Sequence, residues 1–151
     1  MCAMLPDADV IGFALGVPYQ NMLGHRGLSH SLAVAAVVGA VAAAVWGRGR
    51  AASMALFLHF FAVTASHGVL DAFTDGGLGI AFFVPFSETR YFFPWTPLHV
   101  SPIGGSFFTA LDETGTPYWV RVMSSELVWV WIPSAVVALS GWALHLRRST
   151  R

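Results

Sequence analysis

Two groups of acids and histidines carry the chemistry open to this chain. The first is Asp7, Asp9, His25 and His30, in LPDADV and GHRGLSHSL; the second is His67 and Asp71, in ASHGVLDAFTDGG. Together they offer six nitrogen and oxygen donors of the kind that hold zinc, manganese or iron. His67 and Asp71 are four residues apart and share one helix face. There they can chelate one ion, or the acid can orient the imidazole from behind. His25 and His30 are five apart, about 140° around a continuous helix. They converge only if His25 lies in a loop ahead of the helix, and Gly24, Gly27 and Ser29 favour such a turn. Asp7 and Asp9, just behind Pro6, can bind or bridge hard cations. The six would hold one ion, or two if all of them bind.

Two arginines are candidates for stabilising negative charge that develops in a reaction. Arg26, between the first two histidines, can pair with an anionic substrate or with Asp7 or Asp9. Arg90, in PFSETRYFF, offers a fork of donors for a phosphate or carboxylate. The other polar residues read more plainly. His59 is expected as a hydrogen-bonded packing residue, His145 as interfacial, and His99 as a loop residue without a role in the site. Thr74 and Asp75 should form a turn, and Asp112 and Glu113 a solvated one. No G-x-S-x-G elbow is present, which argues against serine hydrolysis.

The elements that must position these residues are apolar. Of 151 residues, 56% are hydrophobic and 11% charged, and the mean hydropathy is +0.64. A soluble domain is about 25% charged. A chain this small could not bury so much apolar surface in water, so a membrane protein is expected. Net charge is zero, which leaves no basic stripe for nucleic acid. Cys2 is the only cysteine, so neither a disulfide framework nor a thiolate metal site is available.

Three segments are expected to cross: 28–46 with Ser29 as N-cap, 51–71, and 127–146, where Pro133 should kink or break the helix. Ala35, Gly39, Ala43 and Gly47 recur every fourth residue and predict a stripe of close helix packing. Between the second and third segments runs a large Gly/Pro/aromatic loop, broken by Pro85, Pro94, Pro97, Pro102 and Pro117. It should fold over the mouth of the helices, with 78–86 lying at the membrane interface. Arg48 and Arg50, and Arg147, Arg148 and Arg151, are expected in the cytoplasm. Three crossings then place the N-terminal stretch, the long loop and both acid–histidine groups at the outer face.

Taken in order, LPDADV, HRGLSHSL, SHGVLDAFTDGG and PFSETRYFF resemble the YdjM-like family of inner-membrane proteins, described as membrane-bound metal-dependent hydrolases. The resemblance covers most of the chain and is weakest after about residue 95. It implies a polytopic membrane protein with a metal-dependent hydrolytic centre. By motif match, the metal candidates are Asp7, Asp9, His25, His30, His67 and Asp71. Such proteins usually carry an apolar segment ahead of the L-P-D motif, and this chain opens at that motif.

The expectation is therefore an all-α, polytopic membrane protein of about three transmembrane helices plus a large outer loop. Residues 1–151 would form one domain, possessing the family's centre but lacking its N-terminal helix. Its cofactor would be a divalent metal, zinc first and manganese or iron as alternatives. Its partners would be membrane lipid and an amphiphilic ester or phosphoester cleaved at the outer face of the inner membrane. The alternative is a non-enzymatic membrane protein with a structural metal site or a His–Asp network. An ion conduit should set polar residues through the bilayer depth, and His59 is nearly the only one.

Overall fold

The computed structural model describes residues 2–100 and 107–149; Pro102 and Arg151, both part of the expectations above, lie outside the described residues. Among the described residues all named elements are helical, and strand pairing is limited to the isolated bridges Ile80–Tyr91 and Leu111–Pro117. The chain forms two compact units, Met1–Trp95 and Thr96–Arg151.

The first unit begins with two 3-10 turns, Cys2–Met4 and Pro6–Val10, and the single helical turn α1 (Ile11–Ala14). A third 3-10 turn, Leu28–His30, leads into α2 (Leu32–Trp46), which pairs with α3 (Arg50–Ala72) as a hairpin. The N-cap of α2 is Ser31, whose side chain accepts from Val34 N–H at 3.2 Å, so the helix starts later than the apolar run and Ser29 is free for another task. At 15 residues α2 is about 22 Å long, shorter than a full span. The 23 residues of α3 are long and apolar enough to cross.

Small residues bring the two helices together. A β-carbon on Gly39 would sit 2.7 Å from the carbonyl oxygen of Phe57 on α3. Ala35 and Ala42 are buried beside it, while Ala43 and Gly47 are only half-buried. The predicted stripe thus keeps its first two members and then shifts by one residue, because a helix repeats every 3.6 residues and not every four.

Part of the long loop closes over the end of the hairpin, as expected. Ile80 and Tyr91 exchange both backbone hydrogen bonds, Ala81 N–H donates to Arg26 O at 3.1 Å, and Leu32 N–H donates to Phe82 O at 3.0 Å. Ile80, Ala81 and Val84 are buried. The 78–86 segment thus contributes Ile80, Ala81 and Val84 to the core of this unit, while Leu78, Phe83 and Phe86 stay exposed. Phe93 N–H donates to Ala72 O at 2.9 Å and closes the C-terminal end of α3.

In the second unit, α4 (Tyr118–Glu126), a π-turn (Leu127–Trp131) and α5 (Ile132–Ser149) run on as one rod. It starts at Tyr118, well ahead of the predicted 127, directly after Pro117. Pro133 does not end it. A proline clashes with the carbonyl four residues back, here that of Trp129, which lies inside the π-turn where the usual ladder is already opened. Tyr118–Arg148 is the second helix long and apolar enough to cross a membrane, with α2 the shorter apolar helix beside these two. Ahead of the rod, Asp112 organises a turn rather than standing free. Its carboxylate accepts from Thr114 N–H, the Thr114 hydroxyl and Thr116 N–H, and pairs with Arg121.

Candidate metal centre

The donors converge where the hairpin opens. His67 and Asp71 lie on the last turns of α3, His30 on the 3-10 turn before α2, and Asp7 and Asp9 on Pro6–Val10. Gly68 makes the approach feasible: a β-carbon there would lie 3.1 Å from His30 O, so the absent side chain lets the turn rest on α3. His25 sits in the turn ahead of His30, the loop placement its spacing required, with the two rings 5.3 Å apart.

The six residues sort into two sets that share His30: Asp7, His30, His67 and Asp71, and Asp9, His25 and His30. In the first set, Asp7 Oδ1 lies 3.6 Å from His30 Nε2 and 3.1 Å from His67 Nε2. Asp71 Oδ2 lies 3.5 Å from His30 Nε2 and 3.8 Å from His67 Nε2. Donors bound tetrahedrally at about 2.1 Å would be separated by about 3.4 Å. These distances therefore bracket the edges of such a tetrahedron.

In the second set, His25 Nδ1 lies 2.7 Å from Asp9 Oδ1. Asp9 Oδ2 takes a short hydrogen bond from the Ser29 hydroxyl, another from Arg26 N–H at 3.3 Å, and lies 3.2 Å from His30 Nδ1. An acid facing Nδ1 draws the ring proton there and leaves Nε2 with its lone pair. That Nε2 is buried without a hydrogen bond and faces two carboxylates. A lone pair among carboxylate oxygens is repulsive unless a cation stands between them. The donor set accordingly fits a divalent metal ion.

The electrostatics without an ion follow the same logic. His30 lies ahead of α2; burial opposes its charge, but Asp7, Asp71 and Asp9 outweigh burial and raise its pKa to about 10. The facing His30 ring and then His67 hold the Asp7 carboxyl well below the usual range. For Asp9 burial acts upward and is overcome by hydrogen bonds with His25, His30 and Ser29, which leave it well below the usual range too.

Both candidate arginines turn inward. Arg26 has a left-handed backbone (φ 63°) and a buried side chain. Its Nε lies 3.3 Å from Asp71 Oδ2, Nη1 donates to Gly76 O at 2.6 Å, and Nη2 donates to Thr74 Oγ1 at 3.1 Å. Its acid partner is Asp71, where Asp7 or Asp9 was expected, and only its backbone N–H reaches Asp9. Arg90 donates to the backbone oxygens of Tyr19, Gln20, Asn21, His25 and Gly79 and thereby fixes the turn that carries His25.

Two residues of the site were missed. Ser29 was read as a cap yet bridges Asp9 and His30; Thr74 was read as a turn residue yet joins Arg26 to Asp71 O. The place of Ser29 between His25 and His30 was the available signal. His59 lies on the exposed face of α3, edge-on to Phe60 at 5.3 Å, rather than packed inside. His99 belongs to the second unit, where its backbone N–H donates to Ser125 Oγ at 3.1 Å.

An apolar helical chain with a His/Asp cluster at the end of a hairpin has the make-up of a membrane protein with a candidate metal site. Comparison with known proteins is specific: the chain belongs to the YdjM inner membrane protein family, whose model matches residues 1–148. Inner membrane protein YbcI of Escherichia coli (strain K12) is 40% identical over 141 residues, 93% of this chain and 78% of YbcI. No solved structure matches the chain.

Proposed function

We propose that the protein is a membrane-bound metal-dependent hydrolase, with Asp7, His30, His67 and Asp71 around a divalent ion, zinc in the first instance. The observation that carries this reading is the buried His30 Nε2, which has no hydrogen bond and faces two carboxylates. When bound, the ion supplies Lewis-acid polarisation and an acidified water. Asp7 has the most exposed side chain of the four, at 46%; with His30, His67 and Asp71 as ligands, Asp7 would stay off the ion and be the carboxylate to take a proton from a water on its side. Asp71 is held by Arg26, and the His25 turn is held by Arg90, so the two arginines act through these neighbours.

In the membrane, Arg48 and Arg50 at the closed end of the hairpin stay in the cytoplasm. Along α3, His67 is then about 26 Å away, at the periplasmic face. Three crossings follow if the bilayer thins around the shorter α2. A centre at that depth takes an amphiphilic ester or phosphoester drawn from membrane lipid.

The test is metal content of detergent-purified protein, wild type beside His30→Ala and His67→Ala, followed by hydrolysis of ester and phosphoester lipids in vesicles. Stoichiometric metal lost in both variants, with turnover that follows the metal, is the expected result. Turnover without metal overturns it. A second reading is a structural metal site, favoured by the four protein donors, which resemble a closed tetrahedral shell. Bound metal with no turnover on any of these substrates selects that reading.

A further inference from the structure

We infer that the six acids and histidines build a centre for one ion, in which Asp9 and His25 bind no metal and instead set the affinity of the other four. The inference rests on the metal-centre reading above. It begins with the His30 ring, whose two nitrogens are divided between the sets: Nε2 faces Asp7 and Asp71, and Nδ1 lies 3.2 Å from Asp9 and 2.9 Å from Ser29 Oγ. A neutral imidazole has one lone pair to give, and the acid behind Nδ1 directs it to Nε2.

Asp9 has little left to offer a second ion. A carboxylate presents about four acceptor positions. The Ser29 hydroxyl, Arg26 N–H and His30 Nδ1 crowd Oδ2, His25 Nδ1 takes Oδ1, and the side chain is 6% exposed, which leaves at most one position on Oδ1. His25 is fixed as firmly. Its ring lies among those of Phe13 and Tyr19, 6.2 and 5.6 Å away, and its carbonyl accepts from Arg90.

Charge gives the same count independently. Asp7, Asp9 and Asp71 against Arg26 leave two negative charges, which one divalent ion neutralises. A second ion would leave two positive charges in a cluster whose members, Asp7 apart, are at most 20% exposed at their side chains. Uncompensated charge at such a site is expensive. Asp9 then plays the part of the carboxylate that orients a ligating histidine from behind, and His25 steadies that carboxylate. Loss of such a partner weakens metal binding about 10–100-fold.

The experiment is titration of the chelator-stripped full chain in detergent with Co²⁺, followed by its visible absorption, with Zn²⁺ stoichiometry from mass spectrometry. The variants are His25→Phe, which keeps an aromatic ring in the turn, and Asp9→Asn, which keeps the shape of the acid. Expected are one ion per wild-type chain, one per chain in both variants, an unchanged type of Co²⁺ spectrum, and affinity lowered about 10–100-fold. Two ions in the wild type, with one lost in the His25 or Asp9 variant, overturn the inference and leave the metal centre standing. Variants that bind as tightly as wild type overturn the supporting role. A wild type that takes up no ion overturns the metal-centre reading itself.

Discussion

Asp71 and Asp112 each face an arginine, at 3.3 Å and 3.1 Å, yet the two pairs differ in kind. Arg26 beside Asp71 is 4% exposed and reaches Thr74 and Gly76 as well. Arg121 beside Asp112 is 42% exposed; Asp112 itself is 5% exposed, but its carboxylate keeps three hydrogen bonds from two threonines when the arginine is removed. Separation alone therefore ranks the pairs wrongly. What ranks them is how much water each charge has given up and how many groups are stranded when its partner is removed.

The largest contrast comes from deleting each arginine. Arg26→Gln removes a buried guanidinium and leaves Asp71 without its ion pair, and should destabilise the first unit by about 3 kcal/mol, read from denaturant unfolding in detergent. A loss under about 1 kcal/mol would place the pair in the same class as an exposed one.

A pH series on chelator-stripped protein comes next. His30 is raised in the folded protein, so its contribution is complete below its ordinary value near 6.5 and is lost as the pH climbs toward about 10. Asp7 and Asp9 are depressed, so theirs is complete above about pH 4 and is lost on strong acidification. The melting temperature of the stripped protein should thus fall between pH 7 and pH 10. Metal-loaded protein should hold steadier over that range, because the ion takes the place of the His30 proton. Asp112 is held to about 2, chiefly by the Thr114 hydroxyl, so its turn should keep its ion pair until the pH falls toward that value. The Arg121 signals in an NMR titration would report it.

Ser31→Ala gives an intermediate case. It removes one neutral cap from α2 and should cost about 1 kcal/mol, with metal affinity reduced only as far as the His30 turn shifts. The smallest effect belongs to Arg121→Ala, expected to leave the melting temperature within error. A clear drop would show that exposure is a poor guide in the second unit.

The chemistry of the site was legible in the sequence because acids and imidazoles are costly beside apolar segments, and both groups come together at the hairpin's open end. Their division of labour was not. Asp7 and Asp9 looked like one bidentate unit, but on the tight turn Pro6–Val10 they point into different sets. Ser29 and Ser31 are equally good caps by residue type, and only the path of the chain assigns one to the helix and the other to the site. The third helix begins nine residues ahead of the apolar run because Pro117 does not only break helices; proline is also at home at a helix start.

The close contacts Gly39–Phe57 and Gly68–His30 pin α2 and its leading turn to α3 at two heights. Sliding one helix along the other by a single turn would displace His67 and Asp71 by about 5.4 Å relative to His30 and disband the cluster. The centre is thus a gauge of register. The separations among His30, His67 and Asp71 report, through a few ångströms of travel, whether the hairpin has seated in its one correct alignment, and completing the hairpin and completing the cluster become a single event.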